Sequence, residues 1–93
     1  MTKLDWTTAV TTGPGGVRTE EAGVVAGEVT LRTFWSDSDS QALVTLQHKE
    51  IPDWYTMSGS PVDAPSEAAG KAVHEAAVDA VRQGGGATVP HNP

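Results

Sequence analysis

The run "SDSDS", Ser36 to Ser40, places two carboxylates one residue apart, a spacing that could hold a hard cation. A calcium loop of the helix–loop–helix type takes oxygen ligands at positions 1, 3 and 5, glycine at 6 and a bidentate glutamate at 12. Counted from Asp37, the residues Asp39 and Gln41 supply early oxygens, but Ala42 stands where the glycine belongs and His48 where the glutamate belongs. Those two positions make the sharp turn and the bidentate ligand, so the match fails where geometry is strictest. Ser and Asp between apolar segments are ordinary turn formers, because their short side chains bond the local backbone. The run is read as a hairpin loop.

Other candidates meet similar objections. "HEAAV", His74 to Val78, opens like a helical zinc-protease motif, but the second histidine four residues on is replaced by Val78, so two imidazoles cannot reach one metal. His74 is read instead as a boundary residue of a helix. His48 with Glu50 or Asp53 could serve as an acid–base pair if a cleft held them together; a solvated turn is the simpler reading. Ser58 and Ser60 in "SGSPV" lack the GxSxG elbow, and "GPGG" is followed by no GK[ST]. No catalytic residue, metal site or cofactor is assigned from these residues.

Composition narrows the classes further. Ninety-three residues make one small domain, which buries roughly two-thirds of its unfolded surface. The chain has three Trp, one Phe and one Tyr, with Ala, Gly and Val supplying much of the rest, so the core must be thin. Cysteine is absent, which excludes disulfides and thiolate chemistry and points to a cytoplasmic setting. "MTKLDWTTAV" lacks the apolar core of a signal peptide, and no run reaches membrane-spanning length. A net charge of -6 with six scattered Lys and Arg argues against nucleic acid as a partner, since that requires clustered cations. Abundant Ala, Gly, Val and Thr beside scarce Lys, Asn and Ile suits a GC-rich bacterial genome or its phage.

The elements that must position any site follow from periodicity. "LDWTTAVT" alternates with period two, Leu4, Trp6, Thr8 and Val10 on one face, and reads as a strand ended by "TGPGG". "EVTLRTFW", "ALVTLQHK" and "DWYTMSG" are three more strands. Residues 17–27 stay open: Val17 to Glu21 as an edge strand is preferred, with a helical turn capped by Thr19 as the alternative. From "SPVDAPSEAAG" onward the period is helical, with Asp63 as cap, Pro65 in the first turn and Gly84 to Gly86 as terminator. That predicts a helix of about nineteen residues, roughly 28 Å long. Ala69, Val73, Ala76, Ala77, Ala80 and Val81 would face the sheet, with Glu67, Lys71, Glu75 and Arg82 opposite. The expected fold is α+β: an antiparallel sheet of four or five strands with one C-terminal helix packed on one face. The domain spans 1–86, residues 87–93 form a flexible tail, and the core contains Trp6, Val10, Leu31, Leu46 and Val73.

The element order over Val29 to Gln83, strands then a helix, is similar to HicB-type antitoxin domains and to the double-stranded-RNA-binding-like fold. The similarity lies in that order alone, and no family is assigned.

Three strands carry adjacent large apolar residues: Phe34 with Trp35, Leu43 with Val44, and Trp54 with Tyr55. Neighbours in a strand point to opposite faces, and one helix covers one face. Some of these side chains should therefore form an apolar patch on the uncovered face, unless the N-terminal segment folds across it or a bulge re-aims one residue. The leading expectation is a non-catalytic protein-interaction module, an adaptor, inhibitor, antitoxin-like or self-associating domain. Its partner is another protein or a second copy in a homodimer, met through Trp35, Trp54 and Tyr55, with no nucleic acid and no membrane. The alternative is a small-molecule-binding domain; an enzyme using His48 with Glu50 or Asp53 comes last.

Overall fold

Period-two alternation builds the sheet. In the computed structural model, which describes residues 2–90, the elements are β1 (Lys3–Thr11), β2 (Val17–Thr19), β3 (Gly23–Val25), β4 (Glu28–Ser36), β5 (Gln41–His48), β6 (Trp54–Thr56), β7 (Val62–Asp63) and α1 (Glu67–Gln83). The architecture is α+β, as expected. A five-stranded sheet runs in the order β1-β4-β5-β6, with the two-residue β7 also paired to β5. All its pairings are antiparallel. One face is apolar: Val10, Val29, Leu31, Trp35, Ala42, Val44 and Leu46 are all buried there. Each of the larger aliphatic side chains contributes on the order of 1.5–3 kcal/mol by leaving water. Trp6 packs half-buried against this core.

The SDSDS run is the β4–β5 hairpin loop, residues 37–40 between the paired Ser36 and Gln41. Ser36 Oγ donates to Asp39 Oδ2 at 3.0 Å and accepts from the Asp39 N–H at 3.3 Å. One of the two suspect carboxylates is therefore spent on the turn itself.

The helix starts later than its sequence signals indicate. Ser66, not Asp63, is the N-cap, its side chain accepting from the Ala69 N–H at 3.1 Å. Asp63 is held extended opposite Gln41 in β7, and the Ala64 N–H is bonded to the Ser40 carbonyl. The helix is 17 residues long. Its buried stripe is Gly70, Val73, His74, Ala77, Val78 and Val81, turned away from the expected one so that Ala69, Ala76 and Ala80 are half-buried. Gly70 explains much of this turn. A Cβ there would come within 3.0 Å of the Trp35 indole, so the bare position lets the helix descend onto the tryptophan.

Residues 17–25 form a β2–β3 hairpin: the preferred strand holds over Val17–Thr19 and stops short of Glu21, and residues 20–22 form a turn rather than a helical one. Thr19 ends the strand and caps the turn, its Oγ1 accepting from the Ala22 N–H at 3.0 Å and donating to the Gly23 carbonyl at 2.8 Å. β2 also joins the rest of the fold through bridges from Thr19 to Met57 and from Val17 to Ala87.

That last bridge corrects the expected flexible tail. Ala87 and Val89 are buried, and the Val89 N–H donates to the Ser58 carbonyl at 2.8 Å. Apolar side chains spaced by two let the segment pack beside β2, so residues 87–90 belong to the domain. Residues 91–93 of the expected tail lie outside the described residues. Among those described, no helix is long and apolar enough to cross a membrane.

Candidate interaction surface

The face of the sheet turned away from α1 is a grid fixed by strand register. Its first row is Asp5, Phe34 and Leu43; the next is Thr7, Arg32, Thr45 and Thr56; the third is Ala9, Thr30, Gln47 and Trp54. Phe34 and Leu43 are direct cross-strand partners, with 41% and 37% of their surface exposed. Trp54, 43% exposed, stands two rows away across the threonines. The apolar surface is thus two islands separated by a β-branched polar row.

Charge on this face is largely paired. Arg32 Nε meets Asp5 Oδ2 at 2.7 Å, and its guanidinium carbon lies 4.7 Å from the centroid of the Phe34 ring. The ion pair is exposed and stabilises by about 1 kcal/mol at most; its main effect is to keep the guanidinium near the ring. At the far end Lys49 Nζ meets Glu28 Oε2 at 2.8 Å. That contact holds the Glu28 carboxyl below its usual range and the Lys49 ammonium above its own. Beyond Phe34 and Leu43, at the hairpin end, lies a shallow groove of about 360 Å³ bordered by Leu4, Gln41 and Pro61.

The three aromatics singled out from sequence do not come together. Trp35 is a core residue, buried, with its Nε1–H donating to the Ala64 carbonyl at 2.8 Å. It shares a face with Leu31 by strand alternation, so it is withdrawn from the partner-binding set. Tyr55 is half-buried and opposes Leu46, on the covered side. Trp54 remains on the open face. Phe34 and Leu43 were missed as site residues, although alternation from Leu31 and Val44 places both on the uncovered side.

His48 and His74 are both held by hydrogen bonds. His48 Nδ1 accepts from the Glu50 N–H at 3.1 Å, which leaves Nε2 to donate to the Ala26 carbonyl at 3.1 Å. Backbone groups, and neither the Glu50 nor the Asp53 carboxylate, occupy its ring nitrogens. His74, expected at a boundary, is 5% exposed. Thr33 Oγ1 lies 2.7 Å from its Nδ1 and Thr8 Oγ1 2.8 Å from its Nε2. Hydroxyls can donate or accept, so either neutral tautomer is satisfied.

Burial depresses the pKa of His74, with Glu75 acting weakly in the other direction. The unfolded chain therefore takes up a proton that the folded one resists, and stability falls as pH drops through about 6.5. Urea midpoints measured from pH 7.5 to 5.5 should show this fall in the wild type and lose it in His74→Gln. An equal slope in both proteins would place the titration elsewhere.

Comparison with protein-family models, with curated proteins and with solved structures gave no match.

Proposed function

We propose that this protein is a non-catalytic protein-interaction module whose working surface is the open face of the sheet. The observation that carries the reading is the Phe34–Leu43 pair, two large apolar side chains held opposite each other and exposed on the β4–β5 hairpin. Contiguous exposed apolar surface beside a groove marks association sites. Arg32 and Asp5 neutralise each other beside the ring and the groove is bordered by one cation and one anion, Lys3 and Asp39, so the fitting occupant is a protein surface with apolar side chains and little net charge. One such side chain enters the groove at the hairpin end, while the threonine row bonds the partner's polar rim. Trp54 is a second anchor, since aromatic residues dominate interface energies. An acidic chain with scattered cations suits neither nucleic acid nor an anionic membrane surface, and the absence of cysteine fits a cytoplasmic setting.

The test is affinity capture from the source lysate with the wild type and with Phe34→Ser/Leu43→Ser/Trp54→Ala, both checked by circular dichroism for an intact fold. A partner held by the wild type and lost by the variant is expected, with Trp emission shifting on complex formation. Identical captured sets would remove the open face from consideration. The small-molecule alternative draws on the same groove; ligand-induced quenching abolished by Leu43→Ser alone, with no protein captured, would favour it.

A further inference from the structure

We propose that two copies of this chain pair through β1, strand against strand, to form a dimer with one continuous antiparallel sheet. The inference does not rest on the open-face reading, because it uses the edge of the sheet and main-chain groups. β1 ends the sheet and pairs with β4 over all nine residues without a bulge. The Asp37 N–H donates to the Thr2 carbonyl and the Thr12 N–H to the Gly27 carbonyl, both in the same register. Even-numbered residues therefore aim their backbone groups at β4, and Lys3, Asp5, Thr7, Ala9 and Thr11 aim theirs outward. The Gly13 N–H, also outward, is taken by the Val81 carbonyl at the helix end, which marks where the free edge stops.

Among the described residues no strand pairs with this side of β1, whose odd positions are exposed, and an open edge of this length is a template for another strand. The opposite side of the sheet is guarded. There the Glu21 carboxylate accepts from both the Thr56 N–H at 2.7 Å and its Oγ1 at 2.8 Å, and β2 bridges to Met57. β1 carries no proline, and its Asp5 is drawn inward onto Arg32 rather than across the edge. Leu4 and Trp6, on the covered face beside the edge, remain half-buried.

A second β1 fits this edge when the two-fold axis passes through Thr7. Thr7 then faces Thr7 of the other copy, Asp5 faces Ala9, and Lys3 faces Thr11. Each facing odd pair exchanges two hydrogen bonds, and no like charges stand opposite. On the covered side Trp6 meets Thr8 and Leu4 meets Val10, closing the half-exposed apolar row.

Light scattering on a sizing column should give twice the 9.7 kDa chain mass for the wild type. Thr7→Lys sets two ammonium groups opposite each other, a destabilising cross-strand pair, and should weaken the dimer roughly tenfold; Thr7→Glu should do the same. Mixing the two variants should restore the dimer as a mixed pair. Thr7→Cys, in a chain otherwise free of cysteine, should oxidise to a cross-linked dimer, whereas Ala9→Cys should not. A wild type of single-chain mass at every concentration up to about 1 mM, or Thr7→Lys unchanged in dimer strength, would overturn the proposal. Loss of lysate capture on changing Phe34, Leu43 and Trp54 leaves this mass readout untouched, so the two readings fail separately.

Discussion

Gly84→Ala is expected to cost the fold about 3 kcal/mol or more, although alanine is the better helix former. Gly84 closes α1 at φ 76° and ψ -145°, a region essentially reserved for glycine. Its missing side chain also faces a neighbouring loop. A Cβ would lie against the backbone of Gly13 and Pro14, atoms that cannot swing away. The Gly85 N–H donates to the Pro14 carbonyl at 2.6 Å, and the Gly86 N–H to the Gly15 carbonyl at 3.0 Å. "GPGG" and the terminal glycine run thus form one joint, fastening the helix end to the end of β1. Gly85→Ala is the control, since its Cβ would meet nothing within 4 Å and only the left-handed conformation is penalised, at about 1 kcal/mol. Urea midpoints of the two variants check the claim; equal losses would mean the close approach contributes nothing.

That joint shows what the sequence could not express. "TGPGG" was legible as a turn and the final glycines as a helix stop, because each signal is local. Their contact links positions about seventy residues apart, and no propensity reports such a pairing. His74 failed for a related reason. A polar residue beside an apolar stripe reads as a boundary, and its burial depends on Thr8 and Thr33 arriving from two other strands. Strands were more readable, since period two is imposed by the backbone itself. The same period bears on Trp35: it lies four residues from Leu31 and must share its face, so one helix covering Leu31 also covers the tryptophan. Phe34 is left outside by the same count.

The two proposed surfaces depend differently on that helix. The β1 edge is a matter of main-chain register, whereas the open face is open because α1 lies on the other side. If α1 packed elsewhere, Phe34 and Leu43 would have no special standing.

Val73→Asp tests that dependence directly and is expected to unfold the protein. Val73 is 9% exposed in the helix stripe against the sheet, within the cluster of buried apolar side chains. An uncompensated carboxylate there must stay charged in an apolar layer or take up a proton, at a cost of about 4 kcal/mol or more. A domain of this size is expected to have roughly 5 kcal/mol in all, so the folded fraction should collapse. Ala72→Asp, one residue away and exposed, changes charge and helix propensity by the same kind of substitution and should melt cooperatively, within about 1 kcal/mol of the wild type. The comparison is read by thermal unfolding followed with far-ultraviolet circular dichroism and Trp fluorescence. A soluble, cooperatively melting Val73→Asp would refute the packing of α1 on Leu31 and Leu46. It would also remove the reason for assigning Phe34 and Leu43 to an uncovered face, leaving the β1 edge as the surface still supported by register alone.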